Sequence, residues 1–132
     1  MISYGKQHID NNDIKAVIKI LKGEWLTQGP QVENFEKALK SKFLAKYCTV
    51  LSSGTAALHL AGLALGWKRG DIVLCSPISF LASSNCILYS GATPDFVDID
   101  RLSYNIDVNK LEKKIKHLNS QSKKVVAVVA TD

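Results

Sequence analysis

A chain of 132 residues accommodates a single domain by the usual scaling, and 46% hydrophobic with 22% charged residues excludes a disordered tail. Lys and Arg number 17 against 12 Asp and Glu; the net charge of +5 permits an anionic ligand, while scattered lysines without interleaved aromatics argue against nucleic acid as a partner. Cys48, Cys75 and Cys86 lack C-x-x-C spacing, no run approaches the roughly 18 apolar residues of a membrane span, and the start has no apolar signal core, so the expectation is a cytoplasmic protein with reduced, packed thiols and no membrane partner.

The first expected helix carries Ile14, Val17, Ile18 and Leu21 on one face and Lys15, Lys19 and Lys22 on the other, with Asp10 or Asn11 to cap its start and Gly23 at its end. After the loop from Glu24 to Pro30, a second amphipathic helix turns Val32, Phe35, Leu39 and Phe43 inward. From Tyr47 the pattern changes to short β-rich runs, Tyr47 to Leu51, Asp71 to Cys75, Pro94 to Val97 and Lys124 to Ala130, separated by helical segments. Several of these runs are apolar at consecutive positions, as in strands covered on both faces. The expected fold class is therefore α/β, a mostly parallel sheet with helices on both sides.

Two intervening helices say more. Thr55 to Leu65 is apolar almost all round, which predicts burial between the sheet and another layer or subunit. The last helix begins near Asp107 with Val108, Leu111, Ile115 and Leu118 inward and Lys113, Lys114 and Lys116 outward. The chain stops two residues after its most β-prone run, where an α/β fold would place a functional loop, so a truncated chain and a small domain ending on a strand are about equally expected on this ground.

The turn Leu51-Ser52-Ser53-Gly54-Thr55-Ala56-Ala57 joins an expected strand to a buried helix. Free N–H groups at a helix start, with a Thr hydroxyl beside a Gly, make a phosphate site; a plain Ser52 or Ser53 N-cap is the simpler reading. Neither G-x-G-x-x-G nor G-x-x-x-x-G-K-[ST] occurs, so a small phosphorylated ligand fits better than a dinucleotide or a nucleoside triphosphate. In Ser76-Pro77-Ile78-Ser79-Phe80, Phe80 either stacks on a flat heterocycle or packs in the core of the next helix. Asp95, Asp98 and Asp100 read as a solvated strand end and not a metal site, His59 as a hydrogen-bonded core histidine, and His8 and His117 fit no hydrolase or metalloprotease pattern.

The order Trp25-Leu26-Thr27-Gln28-Gly29-Pro30, Phe35-Glu36, Ser53-Gly54-Thr55-Ala56-Ala57-Leu58, Gly70-Asp71, Ser76-Pro77-Ile78-Ser79-Phe80, Gly91-Ala92-Thr93-Pro94 and Val97-Asp98-Ile99-Asp100 resembles the DegT/DnrJ/StrS family of pyridoxal-phosphate-dependent nucleotide-sugar aminotransferases. The resemblance implies a fold type I transferase, with an N-terminal helical segment over residues 1–45 and the first part of the large cofactor-binding α/β domain over 46–132. It implies pyridoxal 5′-phosphate as cofactor, held at Ser53, Gly54 and Thr55 through its phosphate and stacked on Phe80. It places Tyr4, Leu26, Thr27 and Gly29 near a nucleotide-sugar substrate, with glutamate as amino donor and a UDP-linked 4-keto-6-deoxy sugar of pseudaminic acid or related surface-glycan synthesis as acceptor, in a homodimer. The family's cofactor-bearing lysine, the aspartate on its ring nitrogen and an asparagine from the partner subunit all follow residue 132, so the expectation is an N-terminal fragment with no catalytic residue of its own, inactive alone. Also open are another sugar, a dehydratase of the same family, and a non-catalytic phospho-ligand-binding α/β module.

Overall fold

The computed structural model describes residues 5–131; Tyr4, assigned above to the substrate, and Asp132 lie outside the described residues. They divide into two compact units that meet in sequence between Val50 and Leu51.

The first unit holds two helices, α1 over Asn11–Leu21 and α2 over Pro30–Phe43. Asp10 caps α1 by accepting from Asn12 and Asp13 N–H, and the Asp13 carboxylate accepts in return from Asp10 N–H at 2.9 Å. This reciprocal box satisfies donors that every helix start leaves orphaned. Helix α2 begins with Pro30 at its first turn, where the missing N–H costs nothing. The stripes expected to face inward are open instead: Ile14, Val17, Ile18 and Leu21 on α1, and Val32, Phe35 and Phe43 on α2, are exposed, and only Leu39 is half-buried.

The expected strand from Tyr47 to Leu51 does not form. A strand exists only through its ladder, and no described residue pairs with this segment; Val50 N–H donates instead to the Glu36 carboxylate on α2, at 3.0 Å. Three strands remain of the four expected.

The second unit runs α3 (Gly54–Ala64), β1 (Asp71–Cys75), α4 (Ala82–Tyr89), β2 (Thr93–Phe96), α5 (Val108–Ser120) and β3 (Lys124–Val129). The strands form one parallel sheet in the order β2-β1-β3. Central β1 shows why its sequence is apolar throughout. Val73 and Cys75 pack on one face with Trp67, Cys86, Ile87 and Ala92, whereas Leu74 packs on the other with Val97 and Leu118. Each face is covered, α3 and α4 lying over the first and α5 over the second, so the α/β architecture expected from the sequence is the one observed.

One irregularity sits in β3. Ile72 pairs with Val125 but Val73 with Ala127, so Val126 is an extra residue, and Val126 and Ala127 both pack toward the α3/α4 side. Three other expectations change in detail. Val108 is 73% exposed because it sits at the first position of α5, ahead of the stripe formed by Leu111, Ile115 and Leu118; Lys114 is half-buried because it reaches Asp95 on β2 at 2.9 Å. His59 is half-buried, and its ring meets that of Tyr89 edge-on at 5.5 Å in place of the expected hydrogen bond. Helix α3 buries Gly62 while Leu60 and Leu63 stay nearly half exposed.

Candidate functional site

Topology sets which residues share an end of the second unit. Helix α3 returns through Leu65–Gly70 to the start of β1, and α4 leaves the end of β1 to return to the start of β2, so both helices run against the strands. Their N-termini therefore stand at the carboxyl edge of the sheet, the edge at which open α/β folds take ligands. Contacts along the helices agree with this parallel pairing: His59 meets Tyr89, and further along Gly62 lies against Ser90.

The start of α3 is capped from within. Ser53 is extended, and its Oγ accepts from Ala56 N–H at 3.1 Å, while its carbonyl accepts from Ala57 N–H at 3.0 Å. By helix geometry the N–H groups of Gly54 and Thr55 then have no intrahelical acceptor, and they lie at the positive end of the helix dipole. Both residues are exposed, and a Cβ placed on Gly54 would meet no heavy atom within 4 Å, so the space before these donors is open. Two main-chain donors, the Thr55 hydroxyl and the Ser53 hydroxyl hydrogen suit a phosphate dianion. The cap and the anion site are thus compatible readings of one turn, since capping engages the Ser53 oxygen and leaves the two foremost amides unused.

Phe80 lies at the same edge, in the loop between β1 and α4, and is 77% exposed. The alternative of a core phenylalanine is not met in this unit. Its carbonyl accepts from Ser83 N–H at 3.0 Å, which anchors its backbone to the first turn of α4.

Leu26, Thr27 and Gly29 belong to the first unit. Leu26 and Thr27 are exposed, and Gly29 lines an open cavity of about 480 Å³ with Trp25, Gln28, Pro30, Val32, Glu33 and Glu36. Gly29 is required there by contact, because a Cβ would fall 2.8 Å from Trp25 Cβ. Sequence reasoning did not single out Trp25, Glu33 and Glu36 as lining residues; the available signal was the spacing of Glu33 and Glu36 at three residues on one face of α2.

The Lys110 ammonium at 2.9 Å and the Ile99 N–H hold the Asp98 carboxyl below its usual range, and Ser103 does the same for Asp100. Burial pushes the Cys75 and Cys86 thiols up, as inert packed cysteines require.

A parallel sheet sheathed on both faces, with an open, capped helix start at its carboxyl edge, defines an α/β protein of the kind that seats a phosphorylated cofactor beyond its strand ends. The sequence profile of the DegT/DnrJ/EryC1/StrS aminotransferase family matches residues 7–130, and the chain belongs to that family. It is 47% identical over 115 residues to the UDP-4-amino-4,6-dideoxy-N-acetyl-beta-L-altrosamine transaminase of Campylobacter jejuni, covering 87% of this chain and 30% of that protein. Among solved structures, a Streptococcus pneumoniae protein described as a sugar aminotransferase, in its PLP form, superposes with a TM-score of 0.77 at 31% identity over 85% of this chain and 29% of its own. The GDP-4-keto-6-deoxy-D-mannose-3-dehydratase of E. coli with bound hydrated PLP also reaches 0.77, at 29% identity over 86% of this chain and 31% of its own. The chain thus spans about a third of the length of its relatives, and pyridoxal phosphate is the cofactor of both these structural neighbours.

Proposed function

We propose that this chain supplies the phosphate-holding part of a pyridoxal-phosphate-dependent aminotransferase that moves an amino group from glutamate to the 4-keto carbon of a UDP-linked 4-keto-6-deoxy sugar, in a cytoplasmic homodimer serving pseudaminic acid or related surface-glycan synthesis. The observation that carries this reading is the open α3 start, with the Gly54 and Thr55 amides left unused by the Ser53 cap. The 47% identity to the altrosamine transaminase supports the choice of sugar.

Gly54, Thr55 and the Ser53 hydroxyl hold the phosphate, and Phe80 offers a ring face to the heterocycle. Bound pyridoxal phosphate supplies the electron sink and carries the amino group between donor and acceptor. The cavity beside Gly29 has room for part of a sugar nucleotide, and Leu26 and Thr27 are accessible to it. A second reading, dehydration of a nucleotide sugar, is favoured by the likeness to the E. coli dehydratase.

The test is an assay of the polypeptide encoded by the whole reading frame that contains this chain, with glutamate, pyridoxal phosphate and a UDP-4-keto-6-deoxy sugar. Amino transfer yields 2-oxoglutarate and a 4-amino sugar. Loss of a sugar hydroxyl without an amino product would establish dehydration, and neither product would refute both readings.

A further inference from the structure

Ser76 is 4% exposed although it carries a hydroxyl and follows the last residue of β1. An apolar side chain would satisfy burial alone, so the hydroxyl calls for a reason. Its Oγ accepts from Ile78 N–H at 3.3 Å and donates to Ile78 carbonyl at 3.4 Å, closing a tight turn across Pro77, whose ring fixes one more dihedral. Two residues later stands Phe80, with its ring exposed and its carbonyl bound by Ser83 N–H at the start of α4. The segment carrying that ring is therefore pinned at both ends, to α4 by Phe80 itself and to the strand end by Ser76.

We propose that Ser76 is a positioning residue for cofactor binding. Its hydroxyl sets the path by which residues 77–79 leave β1 and so aims the Phe80 ring at the space before the α3 N-terminus. The inference rests on the proposed role of Phe80 as a stacking surface. Ser76 touches no ligand; it acts through the loop. Each of its hydrogen bonds is long, so the turn depends on both together and on Pro77, and removing the oxygen frees the loop while Cys75 and Ala82 stay buried.

The test uses the 132-residue chain and its Ser76→Ala and Ser76→Thr variants, labelled for NMR and titrated with pyridoxamine 5′-phosphate, an amine that forms no Schiff base with lysines. In the parent chain the Gly54 and Thr55 amides and the Phe80 ring signals all shift. In Ser76→Ala, Ile78 N–H exchanges about five- to tenfold faster and the Phe80 response shrinks, while Gly54 and Thr55 still shift and the β1 amides keep their protection. Ser76→Thr, which keeps the hydroxyl, restores both signals. An unchanged Phe80 response in Ser76→Ala overturns the proposal alone, and so does loss of β1 protection, which marks a merely structural residue. If Phe80 does not respond in the parent chain, its stacking role fails and the assignment of Ser76 falls with it.

Discussion

Ser53 and Ala56 share a hydrogen bond of 3.1 Å that closes the first turn of α3 from inside and leaves the Gly54 and Thr55 amides pointing forward. In the proposed function one side chain both caps the helix and faces the phosphate, two roles that sequence reasoning sets against each other. Removing it separates them: Ser53→Ala should lower stability by about 0.5–2 kcal/mol in urea titration, the usual cost of a lost cap. Ser53→Asp should keep the cap and the stability, yet place a negative charge beside the phosphate and weaken binding of pyridoxamine 5′-phosphate. Equal ligand affinity in Ser53→Asp and the parent chain would mean the anion does not sit at this turn.

Helices α3 and α4 approach closely only because residue 62 has no side chain. A Cβ on Gly62 would fall 2.6 Å from Trp67 Cε3 and closer still to Ser90 Oγ, which is itself tied to the Cys86 carbonyl at 2.8 Å. Gly62→Ala should therefore force the helices apart and cost about 1–3 kcal/mol, against the usual gain from adding a methyl group to a helix. A thermal melt that shows Gly62→Ala as stable as the parent chain would contradict the packing described.

Asp98 links β2 to α5 through Lys110, with its carboxyl held below the ordinary value of 3.8. A folded-state pKa below the unfolded one means that the unfolded chain binds the proton more readily. The contribution is present in full above the unfolded value and is lost as pH falls through the folded one. Urea midpoints measured from pH 6 down to pH 2 should fall through the region below about pH 4, less steeply in Asp98→Asn and less steeply in high salt, as an exposed pair is screened. Identical acid limbs for the variant and the parent chain would remove Asp98 from this effect.

The architecture was legible in the sequence where burial leaves a periodic mark. Val73, Leu74 and Cys75 are apolar in succession because helices cover both faces of β1, and the 3.6-residue stripe of α5 from Leu111 to Leu118 is the stripe that packs. The strand expected at Tyr47 to Leu51 shows the limit of such reading. Its residues favour a strand, but a strand needs a neighbour, and Glu36 takes the Val50 amide instead. The bulge at Val126 was likewise illegible, since the uninterrupted apolar run from Val125 to Ala130 carries no alternation to break. At the site, the Ser-Gly-Thr turn is conspicuous by residue type, whereas the 77% exposure of Phe80, which the proposed stacking role requires, is a packing outcome that residue type does not announce. The Ser76 turn went unread because its signal, a hydroxyl before a proline at a strand end, marks a turn without saying that the hydroxyl is buried.

The central claim is that the start of α3 holds the cofactor's phosphate, and calorimetric titration of pyridoxamine 5′-phosphate into the parent chain and Thr55→Val tests it most directly. The substitution keeps the shape of an exposed side chain and removes one hydroxyl donor to a dianion, a hydrogen bond worth roughly 1.5–3 kcal/mol. The dissociation constant should rise about ten- to a hundredfold while the urea midpoint stays put. Equal dissociation constants for the two chains would show that Thr55 only begins a helix.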